Sequence, residues 1–252
     1  MSEATTSPST RRSNTIPSLH GLLVLGGQST RMGRDKAFLD FPQSPGTSTT
    51  TSCPLYLHLL GLLHQACPAG VYISHNASQR DTLEQAHHQL PPRTFLVQDD
   101  ARIVSADIGG PAAGLLSAHL ANPETTFLVL AVDFPLVTLD TLTDLVSRYT
   151  PPVTCYLHTS DNHPEPLLSI WGPDALEELQ QNAMGEKKKT GPCWTARRIW
   201  KRLGVETVGE DGKTMVDGDF VFKPREEHWL FNTNKPEEWE QATSILSSGR
   251  TQ

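Results

Sequence analysis

Short apolar runs alternate with stretches of helical spacing along most of the chain. Gly21-Leu22-Leu23-Val24-Leu25 is a buried strand that ends at Gly26-Gly27. Residues 55–67 place leucines at helical intervals and stop at Pro68. Val71–Ser74 and Thr94–Val97 predict two further strands, with a polar helix over 81–90 between them that stops at Pro91-Pro92. Pro111 opens a helix reaching Leu120, since proline suits a first helical turn. Phe127–Val132 holds no polar residue and predicts a fully buried strand. Thr138 is placed to cap a helix ending at Arg148. Later strands are expected at 153–157 and 167–171, and later helices at 175–182, 195–203 and 236–246.

This alternation predicts an α/β fold: three layers, αβα, with a Rossmann-like, mostly parallel sheet covered on both faces. One domain is expected over 19–248, preceded by a disordered arm at 1–18, rich in Ser and Thr. The run QSPGTSTTTS at 43–52 predicts a flexible surface insertion. No repeat of 20–50 residues is visible.

Composition narrows the picture in three ways. The 252 residues carry 28 acidic and 21 basic side chains, a net charge of −7, which argues against a general nucleic-acid binder. No apolar run approaches the ~20 residues of a membrane span, and no apolar leader opens the chain. Cys53, Cys67, Cys155 and Cys193 form no CxxC spacing and are expected to be reduced thiols of a cytoplasmic protein. Assembly is left between a monomer and a weak homo-oligomer.

The chemistry concentrates in residues 25–36, Leu25-Gly26-Gly27-Gln28-Ser29-Thr30-Arg31-Met32-Gly33-Arg34-Asp35-Lys36. This loop leaves the carboxyl end of a buried strand, where open α/β sheets bind ligands. The paired glycines let backbone N–H groups approach a phosphate, and Ser29 and Thr30 add hydroxyl donors. Arg31 offers a planar fork and Lys36 a point charge for phosphate oxygens, with Gly33 allowing a turn between them. The run is neither a Walker A loop, because Ala37 follows Lys36, nor GxGxxG. It suits a nucleoside triphosphate.

A second candidate is Asp133, directly after the apolar strand. Its carboxylate faces the same crevice and fits either Mg²⁺, held together with phosphate oxygens and water, or the cap of a turn.

Taken together, LGGQSTRMGRDKA and AVDFP resemble the molybdenum cofactor guanylyltransferase (MobA-like) family of nucleotidyltransferases, whose members carry LAGGxSxRMGxDK and a CDxP-type motif. Leu25 stands where Ala is usual and Val132 where Cys is frequent. Gln98-Asp99-Asp100, Gly109–Gly114, His163–Leu168 and Phe231–Glu238 resemble the family's later motifs, in order, over about residues 20–240. Ser74 occupies the place of a nucleotide-contacting Asn in some members, and Asn76 lies two residues on.

The resemblance implies a nucleotidyltransferase fold and transfer of GMP from GTP to molybdopterin with loss of pyrophosphate. Arg31 and Lys36 would stabilise the charge of the leaving group, and Asp133 would hold Mg²⁺. Leu25, Gly26, Gly27, Gln28, Ser29, Thr30, Gly33, Lys36, Asn76 and Asp99 would line the nucleotide, with Asp99 accepting from guanine N1–H and the 2-amino group. Asp99 or Asp100 would otherwise cap a turn. Asn232 and Asn234 would reach the second substrate, or else form a turn before the last helix. The basic residues Lys187–Lys189, Arg197, Arg198, Lys201 and Arg202 fit an anionic partner or a solvated face, while Trp194, Ile199 and Trp200 are expected in the core. The histidines, His58, His64, His87 and His88 among them, lack metal-site spacing. Two other readings stay open: a nucleotidyltransferase using CTP or a sugar phosphate, and a catalytically silent cofactor-binding module.

Overall fold

Seven strands lie side by side in the order β11-β7-β8-β6-β1-β4-β5. In the chain these are β1 (Leu19–Val24), β4 (Val71–His75), β5 (Thr94–Gln98), β6 (Thr126–Ala131), β7 (Val153–Leu157), β8 (Pro164–Trp171) and β11 (Val221–Phe222). Two minor ladders pair β2 (Asp40–Phe41) with β3 (Cys53–Pro54) and β9 (Glu206–Val208) with β10 (Thr214–Val216). The helices are α1 (Leu55–Ala66), α2 (Arg80–Ala86), α3 (Ala101–Ser105), α4 (Gly110–Ala121), α5 (Leu139–Arg148), α6 (Pro173–Met184), α7 (Pro192–Arg202) and α8 (Pro236–Ser247). The computed structural model describes residues 19–26, 33–42, 52–160, 162–185, 191–204, 206–208, 214–216 and 220–247. The expected arm at 1–18, all but one residue of the expected insertion at 43–52, and Lys187–Lys189 lie outside the described residues.

Within the sheet only β8 runs against its neighbours, antiparallel to both β6 and β7. The remaining pairings, β1 with β4 and β6, β4 with β5, and β7 with β11, are parallel. Alternate side chains of β1 and β6 enter two separate cores. Leu23, Leu128 and Leu130 pack under α1, α5 and α8, beside Leu59, Leu63, Leu145 and Leu246. Leu22, Phe127 and Val129 pack under α4, α6 and α7, beside Leu116, Leu179 and Trp200. Every residue of β6 is buried, which is why its sequence shows no polar position after Thr126. The three-layer αβα architecture expected from the pattern is therefore present.

Element boundaries depart from the pattern where local chemistry intervenes. The polar helix expected over 81–90 begins earlier, because Asn76 and Gln79 form a capping box around a 3₁₀ turn, Ala77–Gln79, that leads into α2. It closes in a second 3₁₀ turn, His87–Gln89. Strand β8 starts at Pro164 rather than Leu167, since a bulge after Cys155 lets β7 keep pairing as far as Leu157 with Pro164. Helix α3 is too short to show periodicity and starts on the cap at Asp100. Thr138 caps α5 as expected, with its hydroxyl on the Thr141 N–H.

The topology also fixes where a ligand can sit. From β1 the chain steps outward to β4 and β5, then returns to β6 on the opposite side of β1. Strand order reverses there, so the carboxyl ends of β1, β4 and β6 splay around a crevice. Helix α4 roofs it closely. A Cβ at Gly114 would stand 2.5 Å from Ser74 Oγ and 3.2 Å from Val24, so glycine is what lets the helix lie down on β1 and β4.

Candidate active site

Lys36 is the centre of one end of the candidate site. It sits on a 3₁₀ turn, Lys36–Phe38, whose first N–H groups are capped by the Asp35 carboxylate, with Ala37 N–H 3.0 Å from Asp35 Oδ1. Gly33 before it adopts φ +66°, the left-handed conformation that reverses the chain into this turn. The Lys36 side chain is only 5% exposed. It donates to Asp133 Oδ1 at 2.8 Å and to the Thr233 carbonyl. Thr233, itself 0% exposed, donates its N–H to the Asp133 carbonyl at 2.9 Å, and its hydroxyl donates to the same oxygen at 3.3 Å. Three remote pieces of chain are thus fastened at one point. Asp133 keeps a 30% exposed side chain, so its carboxylate faces both Lys36 and the crevice. Val132 N–H reaches the Val24 carbonyl at 3.1 Å, which sets Asp133 beside the start of the glycine loop.

The other end is a cleft of about 570 Å³, lined among others by Gly26, Asn76, Asp99, Val104 and Gly110. Of the two adjacent acids, Asp100 is the cap: it accepts from Arg102 N–H at 2.8 Å and pairs with the Arg102 guanidinium, which pulls its carboxyl down to about 2. Asp99 instead faces the cleft. Its Oδ1 is buried without a hydrogen-bond partner among the described residues. Burial pushes its carboxyl above the usual carboxylate range, with His75 opposing the rise. Asn76 holds the rim, its side-chain oxygen taken by Ser78 N–H at 2.9 Å and Gln79 N–H at 3.2 Å. Ser74 lies beneath α4 with its hydroxyl buried, so Asn76 and not Ser74 borders the cleft.

Several expected residues fall elsewhere. Leu25 turns its side chain into the core at 2% exposure, and its N–H and carbonyl are engaged by Ser74 and Gln79. Gly26 is therefore the residue at which the loop meets the cleft. Gly27, Gln28, Ser29, Thr30 and Arg31 lie outside the described residues. Asn232 and Asn234 flank Thr233 and bond each other, Nδ2 of Asn234 donating to Oδ1 of Asn232 at 2.8 Å. Glu238 caps that turn by accepting from Asn234 N–H at 2.5 Å and Lys235 N–H at 2.9 Å. The two asparagine side chains are thus paired with each other beside Thr233, whose carbonyl accepts from Lys36.

One further expectation is corrected. Trp194 is not core: it is 37% exposed, with the Arg198 guanidinium 5.4 Å above its ring, whereas Ile199 and Trp200 are fully buried. Arg198 and Arg202 stand on an exposed face, where Glu178 of α6 lies 3.6 Å and 2.7 Å from them. Among the described residues no group of three or more His, Cys, Asp or Glu side chains is gathered as a metal site. Among the described residues the four cysteines form no disulfide, and no described helix is long and apolar enough to cross a membrane.

Residues that the sequence did not single out for the site are Asp35, Gln79 and Thr233. The Asn-x-x-Gln spacing of the capping box was a visible signal for Gln79, and the position of Thr233 between two asparagines was one for Thr233.

The sequence profile of the MobA-like NTP transferase domain matches residues 21–206. A probable molybdenum cofactor guanylyltransferase of Mycobacterium marinum is 32% identical over 178 residues, 70% of this chain and 80% of the relative. Its counterpart in Mycobacterium ulcerans is 30% identical over 179 residues, 71% of this chain and 80% of the relative. Among solved structures, molybdopterin-guanine dinucleotide biosynthesis protein A of Archaeoglobus fulgidus superposes with a TM-score of 0.58 at 17% identity, covering 90% of this chain and 97% of the other. That likeness supports the nucleotidyltransferase fold. The chain belongs to the MobA-like NTP transferase family and is a nucleotidyltransferase.

Proposed function

We propose that this enzyme transfers GMP from GTP to the phosphate of molybdopterin and releases pyrophosphate. The observation that carries the reading is Asp99, whose buried acceptor oxygen Oδ1 has no donor among the described residues and faces a cleft that Gly26 also lines. An ionised carboxylate accepts two parallel hydrogen bonds, and guanine presents two adjacent donors, N1–H and the 2-amino group. Adenine lacks that pair, and a site built on paired donors rejects a base without them. The relatives named as probable molybdenum cofactor guanylyltransferases support the same substrates.

With guanine at Asp99, the triphosphate runs toward Gly26 and the Lys36 turn. A phosphate oxygen of the acceptor attacks the α-phosphorus. A new P–O bond forms as the bond from the α-phosphorus to the bridging oxygen breaks, and pyrophosphate leaves with the electron pair. The acceptor phosphate is anionic at neutral pH, so the step needs no strong base. Lys36 supplies fixed positive charge where negative charge builds, held in place by Asp133 and Thr233 before substrate arrives. Arg31 belongs to the same task on the strength of its motif. Asp133 fits Mg²⁺, because a single partly exposed carboxylate completed by phosphate oxygens and water is a usual shell for that ion. When bound, the ion acts as a Lewis acid on phosphate oxygens.

The test is pyrophosphate release from GTP, CTP, ATP and UTP, each with and without Mg²⁺ and with and without molybdopterin. Release confined to GTP with Mg²⁺ and molybdopterin is expected. Equal release with CTP, or with a sugar phosphate as acceptor, overturns the substrate assignment. No release from any pair, in folded protein, favours a silent binding module.

A further inference from the structure

Gln79 ties the two ends of the site together. It is 1% exposed, and its amide uses both of its N–H donors and its oxygen on three different segments. Nε2 donates to Asp35 Oδ2 at 2.8 Å and to the Leu25 carbonyl at 3.2 Å. Oε1 accepts from Asn76 N–H at 3.1 Å. Asp35 caps the turn that carries Lys36, Leu25 is the last core residue before the glycine loop, and Asn76 borders the base cleft. A short side chain buried among three loop ends contributes more by fixing their mutual positions than by packing. The Asp35 carboxylate is the critical partner, because it receives one charge-assisted bond from Gln79 and returns one cap to Ala37 N–H.

We propose that Gln79 is a positioning residue for nucleotidyl transfer: through Asp35 it sets the turn that aims Lys36, and through Asn76 it holds that turn in register with the base. The inference rests on Lys36 acting on the phosphates, as argued above.

The experiment exchanges the amide and the carboxylate. Gln79→Glu sets two carboxylates against each other at the Asp35 contact. Adding Asp35→Asn restores one amide facing one carboxylate, while Asn at 35 can still accept from Ala37 N–H. Each variant is assayed for GTP turnover with Mg²⁺ and molybdopterin, for GTP-binding stoichiometry, and for thermal unfolding, beside Lys36→Met. A displaced reacting group costs on the order of 100-fold in rate. Gln79→Glu is expected to lose roughly tenfold or more in kcat, with about one GTP still bound per chain and a smaller change in KM. The double variant is expected to recover part of kcat, the share carried by the Asp35 contact, because the Leu25 carbonyl still lacks its donor in it. A merely structural role lowers stoichiometry and kcat together. Wild-type kcat in Gln79→Glu, or a double variant no better than the single one, overturns the inference while loss of turnover in Lys36→Met upholds the Lys36 reading. Full turnover in Lys36→Met overturns both. If Gln79→Glu fails to fold, a folded double variant that keeps part of the wild-type kcat supports the inference, and a folded double variant as slow as Lys36→Met overturns it.

Discussion

At the residue scale, Asp99 couples function to an unfavourable burial. Its carboxyl binds a proton more readily in the folded protein than in the unfolded chain, because burial disfavours the charge. Its contribution to stability is therefore full at pH values below the unfolded pKa of ~3.9 and is lost as pH rises through the higher folded value. At neutral pH the free enzyme carries that cost, and under the proposed function guanine would relieve it by supplying two donors. Two outcomes follow for Asp99→Asn. In urea unfolding at pH 7 without ligand, the variant is expected to be at least as stable as the wild type. In equilibrium binding, its affinity for GTP is expected to fall roughly 10- to 100-fold, the value of one hydrogen bond to a charged group. In the wild type, GTP affinity should weaken with falling pH, beginning above the ordinary carboxylate range, and Asp99→Asn should remove that dependence. A GTP affinity that is flat with pH in the wild type would exclude Asp99 as the base acceptor.

The element scale is set by how closely α4 lies on the sheet. Gly114 leaves no room for a Cβ beside Ser74 Oγ and Val24, and the Ser74 hydroxyl is buried with no hydrogen-bond partner among the described residues. Overpacking of this kind costs about 1–3 kcal/mol, against the ~1 kcal/mol by which Ala favours a helix over Gly. Gly114→Ala should therefore destabilise the protein, and Ser74→Ala added to it should recover at least ~1 kcal/mol by removing the obstructing oxygen. Urea denaturation of the two singles and the double variant measures this, and additivity of the two changes would show that the contact is not the constraint. Because Gly110 and Ala113 at the start of α4 line the cleft, Gly114→Ala should also weaken GTP binding.

For the whole molecule, the cleft is assembled from Gly26, from Asn76 to Ser78, from Gln98 to Val104 and from Ile108 to Ala113, segments that meet only in the folded sheet. A ligand of this cleft binds the native state and not the unfolded chain. At a GTP concentration of about 100 times Kd it should add about 2.7 kcal/mol of stability, a rise of roughly 5–11 °C in Tm for a chain of this size. ATP and CTP should raise Tm less, and Asp99→Asn should erase the difference between nucleotides. Equal shifts for GTP and ATP in the wild type would mean that the base is not read at Asp99.

Hydrophobic period and end signals are local properties, and they determined the fold class, the strands at the centre of the sheet, the cap at Thr138 and the start of the last helix at Pro236. The motif order then placed Lys36 and Asp133 at the carboxyl ends of neighbouring strands. Where signals were short or the relevant contacts distant, the sequence left alternatives. Helix α3 has one buried side chain and no readable period. Asp99 and Asp100 are chemically identical neighbours, and only the fold turns one into a cap and the other toward the cleft. Lys36 meets Asp133 across 97 residues and Thr233 across 197, and no local pattern encodes such a pairing. Tertiary structure decides these because burial and hydrogen-bond satisfaction are settled between segments: the sheet brings the ends of β1, β4 and β6 within reach, and each polar group there must then find a partner or be left for a ligand.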